Sequence, residues 1–516
     1  FRGFGAAPRQ SRDPRRCRHS PWMTPRRRPD QAGNLGAPAG RCDPGADQRG
    51  SAHRHSRLAM NDPLQAVVLC DVRDHASSSR DCFKPISSAS KSTHPNCLLP
   101  LANAALLDRT LEFLTQNHAK EIFILCTKDH VQKIEKHLGK RSRIEGTPDD
   151  AKIRLLQGPA NMDTVGDALR FVEEERVINH DFILCTADIV SNVDLSGAIL
   201  KHKQRRKKDK LCVATLCFAR DGKDAREGKF GDSELMLGLT RTKTRSSSSI
   251  KEQNQKSTTT TNTSITTNDE DEYKIVAFKE SKGGVTKSAG GQLNIDAALS
   301  SEREDVEVET NARDLCVYIC SPEVLMLFTD NFDYQSIRKD FVCGILDEAE
   351  LGNQLHAHFI DLGREYCARA NDVRSFGAIG RDVVRGYCYP QTIDGNCVFF
   401  DYTNPEETKF RKMNYRKIAA TGGLRTRFEN SFAADDVTID TSASIQSGCV
   451  FGRNTKIGAK CVLRDAIIGQ NCSLGSNVTI INCVLFDGCV VENDAKITHA
   501  LVGYNAKIGE KAIIHA

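Results

Sequence analysis

The C-terminal fold is decided by a repeat that is clearest in residues 457–475, which read Ile-Gly-Ala-Lys-Cys-Val-Leu-Arg-Asp-Ala-Ile-Ile-Gly-Gln-Asn-Cys-Ser-Leu-Gly. Large apolar residues recur every five or six positions over a longer region, at Ile445, Phe451, Ile457, Leu463, Ile468, Leu474, Ile480, Leu485, Val491, Ile497, Val502, Ile508 and Ile514. A step of six places one inward side chain on each short strand of a triangular coil. A β-sandwich would instead show longer strands with two-residue alternation. The repeat therefore predicts a left-handed hexapeptide-repeat β-helix over residues 436–516.

Glycines accompany the repeat, at Gly452, Gly458, Gly469, Gly475, Gly503 and Gly509. We expect glycine and asparagine to form the corners of the coil, where positive φ is needed. The repeat runs to Ala516 without a polar cap, and an uncapped solenoid end exposes its core and strand edges. This pattern favours a C-terminally truncated fragment.

Upstream of the repeat, apolar strands alternate with amphipathic helices. Continuous apolar runs occur at Gln65–Cys70, Glu121–Cys126 and Asp181–Cys185, with helical patterns between them. Strands of this kind are typical of a parallel sheet covered on both faces. We therefore predict an α/β domain with a mostly parallel, Rossmann-like sheet over residues 61–415, and a linker at 416–435. Ligands in such sheets bind at the carboxyl ends of the strands.

Two polar segments interrupt this organisation. Residues 1–60 are rich in Arg and Pro, and Met60 directly precedes the first strand, so we predict a disordered tail that is a possible gene-model artefact. An Arg-rich arm for nucleic acid is the alternative. Residues 241–272 combine Ser, Thr and Asn repeats with an acidic run, which predicts a disordered insertion.

Composition excludes several classes of protein. The net charge of +5 gives no general argument for a nucleic-acid partner. The 20 cysteines include no C-x-x-C pair, which favours free thiols in a reducing compartment over zinc sites or disulfides. No apolar run reaches the ~20 residues of a membrane span, and no signal peptide is recognisable. We expect a cytosolic protein without membrane or direct nucleic-acid partners.

An α/β domain followed by a hexapeptide β-helix resembles the sugar-nucleotide pyrophosphorylases. Asn96–Asn103 resembles the segment after their phosphate loop, and Asp163–Leu169 resembles their base-contacting turn. Thr186–Ile189 resembles their metal-binding loop, with Asp188 as the candidate ligand. The resemblance implies a nucleotidyltransferase-like fold for the α/β domain.

The residues needed for nucleotidyl transfer are nevertheless replaced. The loop Asp71–Arg80 contains no glycine, although a phosphate-binding loop needs close backbone approach. Asn96 stands where the family has a lysine, and Ala187 where it has a glycine. Loss of a preorganised cation costs on the order of several kcal/mol of transition-state stabilisation. We predict a degenerate site that has no catalytic residue and holds neither metal nor cofactor; an active pyrophosphorylase is the alternative.

A more specific resemblance is to the epsilon subunits of eukaryotic translation initiation factor 2B. It rests on six motifs: Pro63–Val68, Leu98–Asn103, Cys320–Val324, Leu327–Gln335, Leu351–His356 and Asp382–Pro390. The resemblance implies a subunit of the factor that exchanges GDP for GTP on the GTPase initiation factor 2. Implied partners are the other subunits of that factor, gamma first, and the GTPase itself. The family's main exchange element is a helical-repeat domain beyond the β-helix, so these residues are expected to supply assembly and docking.

The resemblance also implies a partner-binding site. Its residues are Asn331, Phe332, Asp333, Tyr334 and Gln335, which are expected to face the GTPase. Aromatic side chains supply contact area and amides supply hydrogen bonds, as interfaces require. Two alternatives stay open: the two aromatic residues fill the core, or the chain is a scaffold without a role in exchange.

Overall fold

A computed structural model describes most of the chain between residues 63 and 515. The described residues are 63–70, 72, 83, 95–141, 151–159, 162–220, 235–241, 272–280, 293, 305–363, 365–393, 398–400, 410–412, 415–418 and 430–515. The tail 1–60, nearly all of the loop Asp71–Arg80 and the interior of the insertion 241–272 lie outside them. Among the described residues, no helix combines the length and hydropathy of a membrane span.

The α/β region contains fifteen strands and seven α-helices among its described residues. The strands are β1 Gln65–Leu69, β2 Pro100–Leu101, β3 Ala104–Ala105, β4 Glu121–Thr127, β5 Lys152–Gly158, β6 Phe182–Thr186, β7 Ile189–Ser191, β8 Cys212–Arg220, β9 Leu235–Arg241, β10 Tyr273–Glu280, β11 Val306–Cys320, β12 Gln354–Ile360, β13 Cys367–Arg369, β14 Val398–Phe400 and β15 Phe410–Lys412. The helices are α1 Leu106–Gln116, α2 Val131–Arg141, α3 Val165–Glu174, α4 Ser196–Lys208, α5 Glu323–Asp330, α6 Cys343–Asp347 and α7 Val373–Arg385. Short 3-10 turns at Asn96–Leu98 and Ala349–Leu351 and a π-helix at Ile337–Val342 complete the set.

Nine strands form the central sheet, in the order β5-β4-β1-β6-β11-β8-β12-β10-β9. The first four are parallel, as the apolar runs predict, and β1 is buried along its whole length. The long strand β11 then runs antiparallel to both β6 and β8, which makes the other half of the sheet mixed. The α/β fold is confirmed, with its parallel strands confined to one half and to the β8–β12 pair.

Three sheets of short strands build the C-terminal coil, and these strands are parallel except the first, which runs antiparallel to the second. Their strands are β16 Tyr415–Lys417, β17 Phe432–Ala434, β18 Thr438–Ile439, β19 Ser444–Ile445, β20 Val450–Phe451, β21 Lys456–Ile457, β22 Val462–Arg464, β23 Ile467–Ile468, β24 Ser473–Leu474, β25 Thr479–Ile481, β26 Val484–Leu485, β27 Val490–Val491, β28 Lys496–Thr498, β29 Leu501–Val502, β30 Lys507–Ile508 and β31 Ile513–His515. The repeat positions from Ile445 to Ile508 are all buried, and Ile514 is half-buried. The β-helix is therefore confirmed. Strand β17 and most of β16 fall in the predicted linker. They form one sheet with β20, β23, β26 and β29, which we call the first sheet of the coil.

The corners of the coil confirm the expectation in part, because asparagines and two glycines adopt positive φ, but Lys, Asp and His residues do so as well. Most positive φ values belong to residues with side chains, at Asn454, Lys460, Asp465, Asn471, Asn477, Asn482, Asp494, His499, Asn505 and Lys511, and to Gly448 and Gly488. The repeat glycines serve another purpose: a Cβ at Gly452 would lie 2.6 Å from the backbone of Gly469 in the next coil. Asparagine tolerates the left-handed region better than most residues, and here the Asn454 side chain donates to that of Asn471, one coil further on, at 2.9 Å.

Helix α7 packs the α/β domain against the first sheet of the coil. Phe376 contacts Phe486 edge-on at 5.9 Å, and both side chains are buried. Gly380 lets the helix approach closely, because a Cβ there would lie 2.9 Å from Ile467 Cδ1. Asn103 adds a buried hydrogen bond of 3.2 Å to the carbonyl of Ile468. The two folded regions therefore share a buried apolar cluster.

Two buried histidines lie between α4 and the sheet. His202 Nδ1 is 2.9 Å from Thr215 Oγ1, and His356 Nδ1 is 3.4 Å from Cys212 Sγ. Burial, reinforced by the cation of Arg205, lowers the pKa of each imidazole to about 3. The unfolded chain, with a histidine pKa of about 6.5, binds more protons below that pH. Their contribution to stability is therefore complete above about pH 6.5 and is lost as the pH falls toward 3.

This shift predicts acid sensitivity. We expect the two histidines together to lower the free energy of unfolding by about 5 kcal/mol between pH 7 and pH 4.5, and His202→Asn to remove about half of that difference. Denaturant unfolding at both pH values measures it. The control is His118→Asn, since His118 is exposed and has a φ of 62°, which asparagine adopts readily. An unchanged pH dependence in the His202 variant would contradict the assignment.

Candidate functional site

The five residues implied as a partner site form the turn that follows α5. We call residues Asn331–Gln335 the exchange loop. Asn331 ends the helix, and its backbone N–H donates to the Leu327 carbonyl at 3.1 Å. Ser336 then caps the π-helix Ile337–Val342, its side chain accepting from the Lys339 amide at 3.0 Å. The loop is thus short and fixed by a helix terminus on each side.

The two aromatic residues of the loop have opposite environments. Phe332 is 73% exposed, whereas Tyr334 is only 6% exposed. Asp333 is exposed, and Asn331 and Gln335 are half-buried. The core-filling alternative therefore holds for Tyr334 alone. The Phe332 ring is open to contact from outside the domain.

Tyr334 anchors the loop in the apolar core. Its ring meets Phe328 and Phe341 edge-on, each at 5.8 Å, and those two rings stack at 5.0 Å. Gly344 leaves space for it, because a Cβ there would lie 2.6 Å from Tyr334 Cε1. Burial, with the nearby carboxylate of Glu348, raises the pKa of the Tyr334 hydroxyl. The tyrosine is therefore neutral, and its role is to fix the backbone.

Gln335 connects the loop to its neighbours in two directions. Its side-chain oxygen accepts from Thr164 Oγ1 at 2.6 Å, and its amide nitrogen donates to the Phe332 carbonyl at 2.6 Å. Its backbone N–H donates to Asp340 Oδ2 at 3.0 Å. Since a single side chain bonds both the loop and α3, the peptide after Phe332 is held against the domain.

The start of α3 supplies the other half of this contact. Thr164 caps the helix through a reciprocal bond with Asp167, so the helix begins at a defined residue. The Gly166 amide donates to the Gln335 carbonyl at 3.1 Å, and a Cβ at Gly166 would collide with the carbonyl of Tyr334. The turn assigned by resemblance to base contact therefore holds the exchange loop.

Arg170, one turn further along α3, was missed in the sequence. Its guanidinium donates to the carbonyls of Phe328 at 3.1 Å and Tyr334 at 3.2 Å. It also lies 5.5 Å from the centre of the Phe332 ring. Arg170 and Tyr334 are 164 positions apart, so no local spacing links them, and only the three-dimensional fold brings them together.

The candidate metal ligand, Asp188, is already paired. Both carboxylate oxygens of Asp188 accept from Arg369 Nε, at 3.1 and 2.9 Å, and Arg369 also donates to Cys316 Sγ at 3.1 Å. Within the described residues, no group of three or more His, Cys, Asp or Glu side chains is arranged to hold a metal ion. A cation at Asp188 would have to compete with a guanidinium, so these residues do not fit a metal.

This ion pair predicts a measurable coupling energy. We expect Arg369→Met and Asp188→Asn each to destabilise the domain by about 1–3 kcal/mol, and the double variant to lose less than the sum. Denaturant unfolding of the two single variants and the double variant gives the coupling. The exposed pair Arg241–Glu307 is the control, for which we expect at most about 1 kcal/mol. Additive losses at Asp188 and Arg369 would contradict the pairing.

Comparison with known proteins places this geometry in a family. Residues 428–516 match the model of the eIF2B subunit epsilon LbH domain, a left-handed β-helix. Translation initiation factor eIF2B subunit epsilon of Dictyostelium discoideum is 30% identical over 370 residues, covering 72% of this chain and 44% of that protein. The protein of the same name in Schizosaccharomyces pombe is 29% identical over 403 residues, covering 77% of this chain and 48% of that protein. The chain spans about half the length of these curated relatives. Over the part that it spans, the chain belongs to the family of eIF2B epsilon subunits.

Proposed function

We propose that the chain is a subunit of the guanine nucleotide exchange factor for initiation factor 2. Its exchange loop docks the GTPase, and its two folded regions assemble with the other subunits, gamma first, in the cytosol. The proposal rests on the family and on one observation: Phe332 is 73% exposed on a loop whose backbone is fixed on both sides. A rigid exposed aromatic residue is the kind of side chain that dominates binding energy at interfaces.

The docking role is supported by the conformational entropy that a loop loses when it binds a partner. A mobile loop would lose conformational freedom when it binds, which reduces affinity. Here Tyr334 and Gln335 already hold the loop through the core and through Thr164. Phe332 therefore binds without that loss. Asp333 and Asn331 flank it and offer polar contacts at the edge of the same surface.

The alternative is an active sugar-nucleotide pyrophosphorylase. Two observations count against it. Asp188 is engaged by Arg369, and the helix start that resembles a base-contacting turn carries the exchange loop through Gly166. The scaffold alternative has no comparable objection in the fold, because assembly alone would use the same β-helix. Only exchange measurements separate it from the proposal.

Release of labelled GDP from initiation factor 2 tests the proposed function. The full-length gene product, reconstituted with its partner subunits, is compared with the partner subunits alone. Transfer of a nucleotide to a sugar phosphate is measured in the same preparation. We expect faster GDP release only when the chain is present, and no sugar nucleotide. Assembly without any stimulation would favour the scaffold, and formation of a sugar nucleotide would favour the pyrophosphorylase.

A further inference from the structure

We infer that Arg170 is a positioning residue for the exchange loop, and that it sets the orientation in which Phe332 meets its partner. The inference rests on the proposed function, since it concerns the same surface. Arg170 belongs to α3 and directly follows the segment Asp163–Leu169 that resembles a nucleotide-binding turn, and it lies outside every motif that points to exchange.

The first argument is the set of hydrogen bonds. Arg170 Nη1 donates to the carbonyl of Phe328, in the last turn of α5, and to the carbonyl of Tyr334, at the far end of the loop. A cation near a helix C-terminus also interacts favourably with the exposed carbonyls there. One nitrogen thus joins the two ends of the loop, so the loop cannot open without breaking a charge-assisted bond.

The second argument is the contact with the ring. The guanidinium carbon lies 5.5 Å from the centre of Phe332, within the range of a cation–π interaction. Asp167 holds the other nitrogen, Nη2, at 3.0 Å, and the Arg170 side chain is only 14% exposed. The arginine is therefore itself fixed, and it leaves most of the Phe332 surface open. Guanidinium geometry suits this role, because Nη1 bonds the two carbonyls while Nη2 stays bonded to Asp167, and a lysine ammonium has only one nitrogen.

The third argument is a second contact between α3 and the loop, made by Gly166. Gly166 donates to the Gln335 carbonyl, and it has no room for a Cβ beneath the Tyr334 carbonyl. Gly166 and Arg170, one helical turn apart on α3, therefore clamp the same end of the loop. Loss of the arginine removes the contact with the Phe332 ring and leaves the Gly166 contact, so the fold persists while the ring loses its fixed orientation.

The test is a double-mutant cycle in the reconstituted factor. GDP release from initiation factor 2 is measured against factor concentration for Arg170→Met, Phe332→Ala and the pair. We expect Arg170→Met to raise the apparent KM about tenfold while the maximal rate changes less than about twofold. In a Phe332→Ala background the same change is expected to have little further effect. Arg170→Lys is expected to give an intermediate KM.

The controls separate positioning from a general loss of structure. Arg154, on β5, also lies beside a phenylalanine: its guanidinium is 5.8 Å from the centre of the Phe123 ring. Arg154→Met is expected to leave exchange unchanged. If Arg170→Met does not assemble, Arg170→Lys is judged by the same criterion. An unchanged KM, or an effect that adds fully to that of Phe332→Ala, overturns the inference. No effect of Phe332→Ala itself overturns the proposed function instead.

Discussion

Replacing Phe332 by alanine is expected to weaken binding of the assembled factor to initiation factor 2 by about 10- to 100-fold. Phe332 is the exposed ring of the exchange loop, and its neighbours Tyr334 and Gln335 face inward. Truncation therefore removes partner contact without opening the core. Equilibrium binding to the GTPase, measured at fixed salt, gives the loss.

A second exposed aromatic residue provides the control for this prediction. Tyr389 is 74% exposed and follows α7, so its ring is as accessible as that of Phe332 but belongs to another loop. We expect Tyr389→Ala to leave affinity for the GTPase unchanged. Equal losses in the two variants, or none in either, would contradict a specific role for the exchange loop.

Replacing Phe486 by alanine is expected to destabilise the contact between the α/β domain and the β-helix by about 3–5 kcal/mol. Phe486 is 1% exposed and lies between Phe376 of α7 and Tyr504 of the coil, with ring centres at 5.9 and 4.8 Å. Its removal leaves a cavity and breaks two aromatic contacts. Denaturant unfolding of the chain, compared at the transition midpoints of the two proteins, measures the loss.

Position 513 supplies the comparison for Phe486. Ile513 is an apolar residue of the same β-helix that is 78% exposed, so Ile513→Ala is expected to change stability by less than about 0.5 kcal/mol. If Phe486→Ala cost no more than Ile513→Ala, α7 would not be held to the coil by this aromatic contact, and the shared core would be a weak one.

The sequence predicts the β-helix well because its signal is local and repeated. Each inward residue, from Ile445 to Ile508, occupies a short strand whose partner lies one coil away, so periodicity alone fixes the fold. The corners were harder to predict. Positive φ is adopted by Asn, Asp, Lys and His as well as glycine, while Gly452 and Gly469 are needed for close stacking between coils.

The sheet and the site show the limit of such reasoning. The apolar runs predict the parallel strands β1, β4 and β6, but the antiparallel passage of β11 between β6 and β8 depends on pairing between distant segments. In the same way, the residues Asn331–Gln335 could be named from resemblance, whereas Arg170 could not. Its contacts join α3 to a loop far along the chain, and no pattern within either segment encodes them.

The central claim is that the exchange loop faces the GTPase, and site-specific photocrosslinking tests it most directly. Phe332→p-benzoylphenylalanine places the reactive group on the exposed ring while Tyr334 keeps the loop in place. The reconstituted factor is irradiated with initiation factor 2, and the crosslinked chain is identified by mass spectrometry. We predict a crosslink to the GTPase from position 332 and none from the same group at Tyr389. A crosslink from position 332 to another subunit of the exchange factor, with none to the GTPase, would contradict the account.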